Sequence, residues 1–333
     1  MRVGLVLPVG RTTLTEVVGA ARFAEEIGVD AVWTYENLYA AGAFAVAGAA
    51  VAATARLRVG VGTVSPFTRS PAIVAMEAGA LHAMSGGRFV LGLGASPAEL
   101  VGRLGIDPGK PLTAMREALA LLRPLLAGEP TTLAGERFQL RDVALGLPAA
   151  PVPIYLGAIG DRMLGLAGQA ADGLILSVLC PLPFIERARD QVGAAARAAG
   201  RARTAVDMVA YVPFALDRDA GRARDRLRPG IAENVARFSG KPDLEALLTR
   251  SGPLDTERMA WIAARMAEKA DPRSVVDDAL VDALCIAGDE GDVRRRLRDY
   301  QRVGVSEVVP FGVGTDPESR AMLRRLIEIT RAS

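Results

Sequence analysis

Ala24-Glu25-Glu26-Ile27-Gly28-Val29-Asp30-Ala31-Val32, Gln169-Ala170-Ala171-Asp172-Gly173-Leu174-Ile175 and Gln301-Arg302-Val303-Gly304-Val305-Ser306-Glu307-Val308-Val309 share one form. Each reads as a helix end, a glycine suited to a left-handed cap, and an apolar strand. Two further junctions, Arg58-Val59-Gly60-Val61 and Arg88-Phe89-Val90-Leu91, place an arginine before the strand. Strands apolar on both faces and separated by helices predict a parallel sheet covered on both sides.

Extended along the chain, the pattern gives eight strands near 2–7, 30–34, 58–63, 88–94, 153–157, 173–178, 206–214 and 305–311. Helices fill the gaps. Eight strand–helix units predict an α/β chain folded as one (β/α)8 TIM barrel over 1–333, rather than an open doubly wound sheet. Residues 128–150 read as a hairpin or loop insertion before the fifth strand. Residues 217–282 are too long for one helix and contain Pro229, Pro242, Pro253 and Pro272. They read as a helical insertion after strand seven, a lid over one end of the barrel.

Composition narrows the chemistry. Of 333 residues, 40 are Lys or Arg and 38 Asp or Glu, a formal charge of +2, and half are hydrophobic with only 5% aromatic. Such a chain builds its core from Ala, Val, Leu and Ile, and it carries no basic stripe for nucleic acid. The single histidine, His82, and the two cysteines, Cys180 and Cys285, rule out a zinc site of ordinary His/Cys spacing and a Cys-x-x-Cys redox pair. His82 reads as structural, since no nucleophile elbow accompanies it. No basic leader and no apolar run of spanning length is present, so the expected location is cytoplasmic, without membrane partners.

In a barrel of this class the reactive groups stand at the carboxyl ends of the strands. Those ends are rich in glycine, and Glu36 is the one acid among them. Gly157-Ala158-Ile159-Gly160 follows an apolar strand and opens a helix, so it can cradle a phosphate or can be a tight turn that needs glycine for geometry alone. Gly60-Val61-Gly62-Thr63-Val64-Ser65-Pro66 ends a strand in a form that suggests a bulge. Gly92-Leu93-Gly94-Ala95-Ser96 offers bare backbone to a flat ring but does not complete a dinucleotide fingerprint, because Pro97 stands at the third glycine position. Trp33 reads as pocket wall, with core as the alternative. Met84, Met115 and Met163 read as core filler.

Taken in order, Val32–Asn37, Gly62–Pro71, Ser85–Gly94, Gly157–Gly160 and Ala171–Gly173 resemble the bacterial-luciferase-like monooxygenase superfamily. The likeness is strongest to its branch that uses the deazaflavin coenzyme F420. That resemblance implies a cis peptide at Gly62–Thr63 supporting the deazaflavin ring, with Gly62, Thr63, Val64 and Ser65 on the cofactor. It also implies Gly94, Ala95 and Ser96 beside the ring or its chain, and Gly157, Ala158, Ile159 and Gly160 on the phosphate. Relatives carry an Asp-His pair where this chain has Glu36 and Asn37, which removes the imidazole a dehydrogenase uses. Glu36 and Asn37 are therefore the candidate catalytic residues, Glu36 either as proton donor or as a rim acid paired with an arginine. The expected reaction is F420-dependent hydride transfer to a small organic substrate, more in keeping with reduction of C=C or C=N. The alternatives are an FMN-dependent monooxygenase and a non-catalytic flavin-binding relative. The resemblance also implies a homodimer.

Overall fold

The computed structural model describes residues 1–10 and 12–331. Its strands are β1 (Arg2–Val6), β2 (Ala31–Thr34), β3 (Arg58–Val64), β4 (Phe89–Leu93), β5 (Thr131–Ala134), β6 (Gln139–Val143), β7 (Ile154–Gly157), β8 (Gly173–Leu176), β9 (Asp207–Leu216), β10 (Ile286–Gly288) and β11 (Glu307–Phe311). Eight of them, β1, β2, β3, β4, β7, β8, β9 and β11, pair in parallel from neighbour to neighbour, and β11 returns to β1. The barrel is closed, a TIM barrel as the repeat predicts. β5 and β6 pair antiparallel outside it. The short β10 extends the sheet by pairing with the far end of β9 at Phe214–Leu216.

The outer helices are α1 (Leu14–Ile27), α2 (Ala43–Ala53), α3 (Pro71–Met84), α4 (Ala98–Gly102), α5 (Pro111–Leu126), α6 (Asp161–Ala170) and α7 (Leu182–Ala198). After β9 come α8 (Ala220–Phe238), α9 (Pro242–Thr249), α10 (Thr256–Ala267) and α11 (Asp278–Leu284). The chain then finishes with α12 (Glu290–Arg302) and α13 (Pro317–Arg331). Among the described residues no helix is long and apolar enough to cross a membrane.

The three repeated junctions share a hydrogen-bonding role. Asp30 takes the Val3 amide at 2.8 Å, Asp172 takes the Ile154 amide at 2.8 Å, and Ser306 takes the Met208 amide at 3.1 Å. In each case a polar side chain just before one strand satisfies an amide near the start of the adjacent strand. Gly28 and Gly304 are left-handed, with φ of 78° and 99°. Gly173 departs from the expectation. It is the first residue of β8, and a Cβ there would overlap the Tyr155 ring, so its role is room rather than a cap.

The amino-terminal end of the barrel is filled by charge and aromatic rings. Glu307 is fully buried, accepts from the Trp33 indole N–H at 2.6 Å, and pairs with Arg58 and Arg2. Asp207 pairs with Arg2 and accepts from the Tyr155 hydroxyl at 2.8 Å. Hydrogen bonds from the Ser306 and Tyr155 hydroxyls, with Arg2 and Arg58 beside them, hold the Asp207 carboxyl below its ordinary range against the opposing effect of burial. Trp33 is thus core, not pocket wall, and a Cβ at Gly60 on the adjoining strand would overlap its ring. His82 is buried, with Nδ1 3.2 Å from the Phe89 carbonyl oxygen, which is a structural placement. Met115 is buried, whereas Met84 is 70% exposed at the end of α3 and does not fill the core.

Candidate active site at the barrel mouth

At the carboxyl end of β3 the pairing with β4 slips between Val61 and Val64, and the Gly62–Thr63 peptide is cis. The Tyr211 hydroxyl from β9 donates to the Gly62 carbonyl at 3.2 Å. The Thr63 carbonyl accepts from the Glu36 amide at 3.0 Å, and the Val64 carbonyl from the Gly94 amide at 2.9 Å. The bulge is therefore held from β2, β4 and β9 together.

Thr63 joins segments that lie far apart in sequence. A Cβ on Gly94 would overlap the Thr63 hydroxyl, and one on Gly157 would stand 3.1 Å from Thr63 Cγ2. Thr63, Gly94 and Gly157 thus form one half-open floor across the ends of β3, β4 and β7. Val64 and Ser65 lie beneath it, fully buried. Ser65 accepts from the Phe67 amide at 3.3 Å and donates to the Ala95 carbonyl at 3.3 Å, so it shapes the loop. Ala95 and Ser96 are half-buried, and Ser96 is left-handed at φ 58°. Tyr39 and Leu179, on the loops after β2 and β8, are left-handed too, at 73° and 62°. Such conformations are sparse for non-glycine residues and gather at functional sites.

Gly157–Gly160 leads from this floor to α6. Ala158 is buried, Ile159 and Gly160 are half-buried, and nothing stands within 4 Å of a Cβ built on Gly160. The first amides of a helix have no partner within it and favour anions. Asp161, the acid that would repel a phosphate there, is paired with Arg187 at 2.6 Å.

The two candidate catalytic residues differ. Glu36 is ion-paired with Arg69 at 2.8 Å, and the α2 amide of Ala43 lies 3.4 Å from the same oxygen. Arg69 stacks over Phe44, 5.5 Å from the ring centroid, and reaches Glu77 at 3.5 Å. Asn37 is exposed. The sequence reading missed the aromatic side of the mouth, where Tyr35 packs on Phe311 (6.4 Å between centroids) and Phe311 on Tyr211 (6.3 Å). The signal was the strand period, since a residue two positions beyond an inward Trp33 also faces inward.

A groove of about 810 Å³ lies elsewhere, between Leu216–Arg218, the start of α12 and α13. Its lining mixes Asp217, Glu290 and Glu318 with Arg218 and Arg325, and Arg325 is already engaged by Glu290. Among the described residues no group of three or more His, Cys, Asp or Glu side chains could hold a metal ion.

Known proteins resemble this chain in sequence and fold. A family model described as luciferase-like monooxygenase matches residues 1–307. A 5,10-methylenetetrahydromethanopterin reductase of Methanolobus tindarius is 34% identical over 313 residues, covering 92% of this chain and 94% of the relative. The enzyme of that name from Archaeoglobus fulgidus is 32% identical over 309 residues, 91% of each chain. The solved coenzyme F420-dependent tetrahydromethanopterin reductase of Methanopyrus kandleri superposes with a TM-score of 0.83 at 25% identity, covering 99% of this chain and 96% of that one. A match through residues 1–307 and two relatives above 30% identity over nearly the whole length make this chain a member of the luciferase-like monooxygenase family of oxidoreductases.

Proposed function

We propose that this protein is a coenzyme F420-dependent oxidoreductase that reduces a C=C or C=N bond of a small organic substrate. The observation that carries the reading is the floor formed by Thr63, Gly94 and Gly157, which offers flat backbone beside an aromatic wall and leads directly to an open helix start. The likeness to the coenzyme F420-dependent reductase of Methanopyrus kandleri supports the same redox chemistry here.

The residues fit such a group. Gly62–Ser65 would support the ring, Gly94–Ser96 would line it, and Gly157–Gly160 with the first amides of α6 would take the phosphate. When bound, the deazaflavin supplies the hydride. The protein contributes position and dryness. Tyr211 fixes the Gly62 carbonyl, Thr63 sets the height of the floor, and the rings of Tyr35 and Phe311 exclude water from one side. Glu36, locked to Arg69, serves on this reading to position the loop after β2.

A homodimer is part of the proposal. The outer faces of α2 and α3 present Ala45, Ala49, Ala52, Ile73, Met76 and Met84, with Glu77 the one charged side chain on either helix. Exposed apolar surface of this extent on adjoining helices is the usual mark of an interface.

Parallel titration of the purified protein with F420 and FMN, followed by absorbance, tests the function. Saturable binding of F420 well below the concentration at which FMN binds is the expected result. Tighter binding of FMN, or of neither, would overturn it.

A further inference from the structure

We infer that Tyr35 is the side chain that donates the proton to the substrate during reduction, an assignment that rests on the F420 reading above. Along β2 and the loop that follows, side chains alternate. Trp33 enters the barrel, where it meets Glu307 and the bare backbone of Gly60. Tyr35 again faces inward, packed on Phe311, while Glu36 turns out to Arg69 and the start of α2. Of the residues in this segment that can carry a proton, Tyr35 is the one directed at the mouth.

Its hydroxyl is also uncommitted. Tyr155 donates to Asp207, Tyr211 to the Gly62 carbonyl, and Tyr39 to the Leu100 carbonyl at 3.4 Å. Among the described residues the Tyr35 hydroxyl has no hydrogen-bond partner, although the side chain is half-buried. The hydroxyl keeps contact with solvent, so a ligand can bond it without displacing a partner within the protein. The ring is placed beside the floor on two counts. Phe311 connects it to Tyr211, which holds the Gly62 carbonyl, and the next residue's amide bonds the Thr63 carbonyl. Burial raises the Tyr35 hydroxyl above its ordinary range, with Arg237 of α8 opposing, so the group is a protonated donor at neutral pH.

The step balances as follows. The electrophilic carbon of the substrate's C=C or C=N bond accepts a hydride from the reduced deazaflavin, forming a C–H bond. The π pair passes to the second atom of that bond, which takes the proton from Tyr35 Oη as the O–H bond breaks. The tyrosinate regains its proton from solvent.

Acetylation with N-acetylimidazole, read by peptide mass spectrometry with and without saturating F420, decides whether Tyr35 faces the ring. Tyr39, 66% exposed on the same loop, is the internal control. Tyr35 is expected to label in the free protein and to be protected about 10-fold or more by F420, with Tyr39 changing less than about 2-fold. Equal labelling of Tyr35 with F420 bound, or none in the free protein, would overturn the assignment. Failure of wild type to bind F420 would instead count against the function itself. Single-turnover oxidation of reduced F420 by cyclohex-2-enone and by 1-pyrroline tests the proton step. Tyr35→Phe should bind F420 as wild type does and lose about 100-fold or more in rate. A Tyr35→Phe rate equal to wild type on a probe that wild type reduces would overturn the role, and the labelling decides by itself if neither probe is reduced.

Discussion

The side chain of Thr63 occupies the space that a Cβ on Gly94 would need. The two residues belong to adjacent strand ends and lie 31 positions apart, yet neither can change size alone. Gly94→Ala should push Thr63 out of the floor and weaken F420 binding by about 10-fold or more, equivalent to roughly 1.4 kcal/mol. Since the mouth is half open, global stability should fall by much less than a core overpacking costs, about 1–3 kcal/mol. Adding Thr63→Ala to Gly94→Ala removes the hydroxyl that the new Cβ would meet and should recover part of the affinity. A double variant no better than Gly94→Ala in an F420 titration would mean that the two residues are not coupled.

The network at the other end of the barrel bears on stability instead. Glu307 has no solvent exposure and holds Arg2, Arg58 and the Trp33 indole. Burial lowers the Arg58 guanidinium below its ordinary range, while Tyr155, Asp207 and Asp30 oppose the shift. Removing one member of a buried pair leaves an uncompensated charge and costs about 3–5 kcal/mol. Glu307→Gln should lose that much in urea unfolding followed by Trp33 fluorescence. Glu318→Gln, at an exposed pair with Arg226, should change stability by less than about 1 kcal/mol. Similar losses in both variants would contradict the distinction between a buried and an exposed ion pair.

The fold was legible because its signal is local and repeated. The strands are short apolar runs, five of the eight entered through Gly or Arg, and no distant partner is needed to see them. Trp33 was misjudged because what admits it, the missing Cβ of Gly60, sits on another strand. Gly173 was misread for the same kind of reason, its glycine serving the Tyr155 ring rather than a helix end. The cis bond at Gly62–Thr63 came from family likeness, since no local spacing specifies it. The partner of Glu36 is Arg69, 33 positions on, and its arrival depends on how the loop after β3 folds. Pairwise chemistry across strand ends is written in the closure of the barrel, which a linear reading does not contain.

Arg69 lies between two carboxylates, which sets a pH dependence. Burial raises the Glu77 carboxyl above its ordinary 4.5, Glu36 adds to the effect, and Arg69 opposes it. An acid whose folded value is raised binds more protons in the native state, so stability falls as pH rises through the window above 4.5 and stays lower at neutral pH. Glu77→Gln should therefore be more stable than wild type at pH 7, with the advantage shrinking as pH approaches 4. Urea midpoints at pH 4, 5, 6 and 7 check this, and a difference that is constant across the series would show that Glu77 does not titrate as its surroundings require.

The helices after β9 meet the loop after β4 at a charged contact. Lys241, just before α9, stands 3.2 Å from Glu99 in α4, on the loop after β4. Both side chains are substantially exposed, so the pair contributes under about 1 kcal/mol to folding and is screened by salt. If residues 217–282 act as a lid, the contact should matter to how fast a ligand leaves rather than to stability. Lys241→Glu turns it into a repulsion and should speed F420 release several-fold in stopped-flow displacement, with the thermal midpoint nearly unchanged. Raising NaCl from 0.05 to about 0.5 M should bring wild type toward the variant, since the Debye length then falls to within a few ångströms of the contact distance. A wild-type release rate insensitive to salt would leave the segment as a fixed wall of the mouth, and the lid proposal would fall with it.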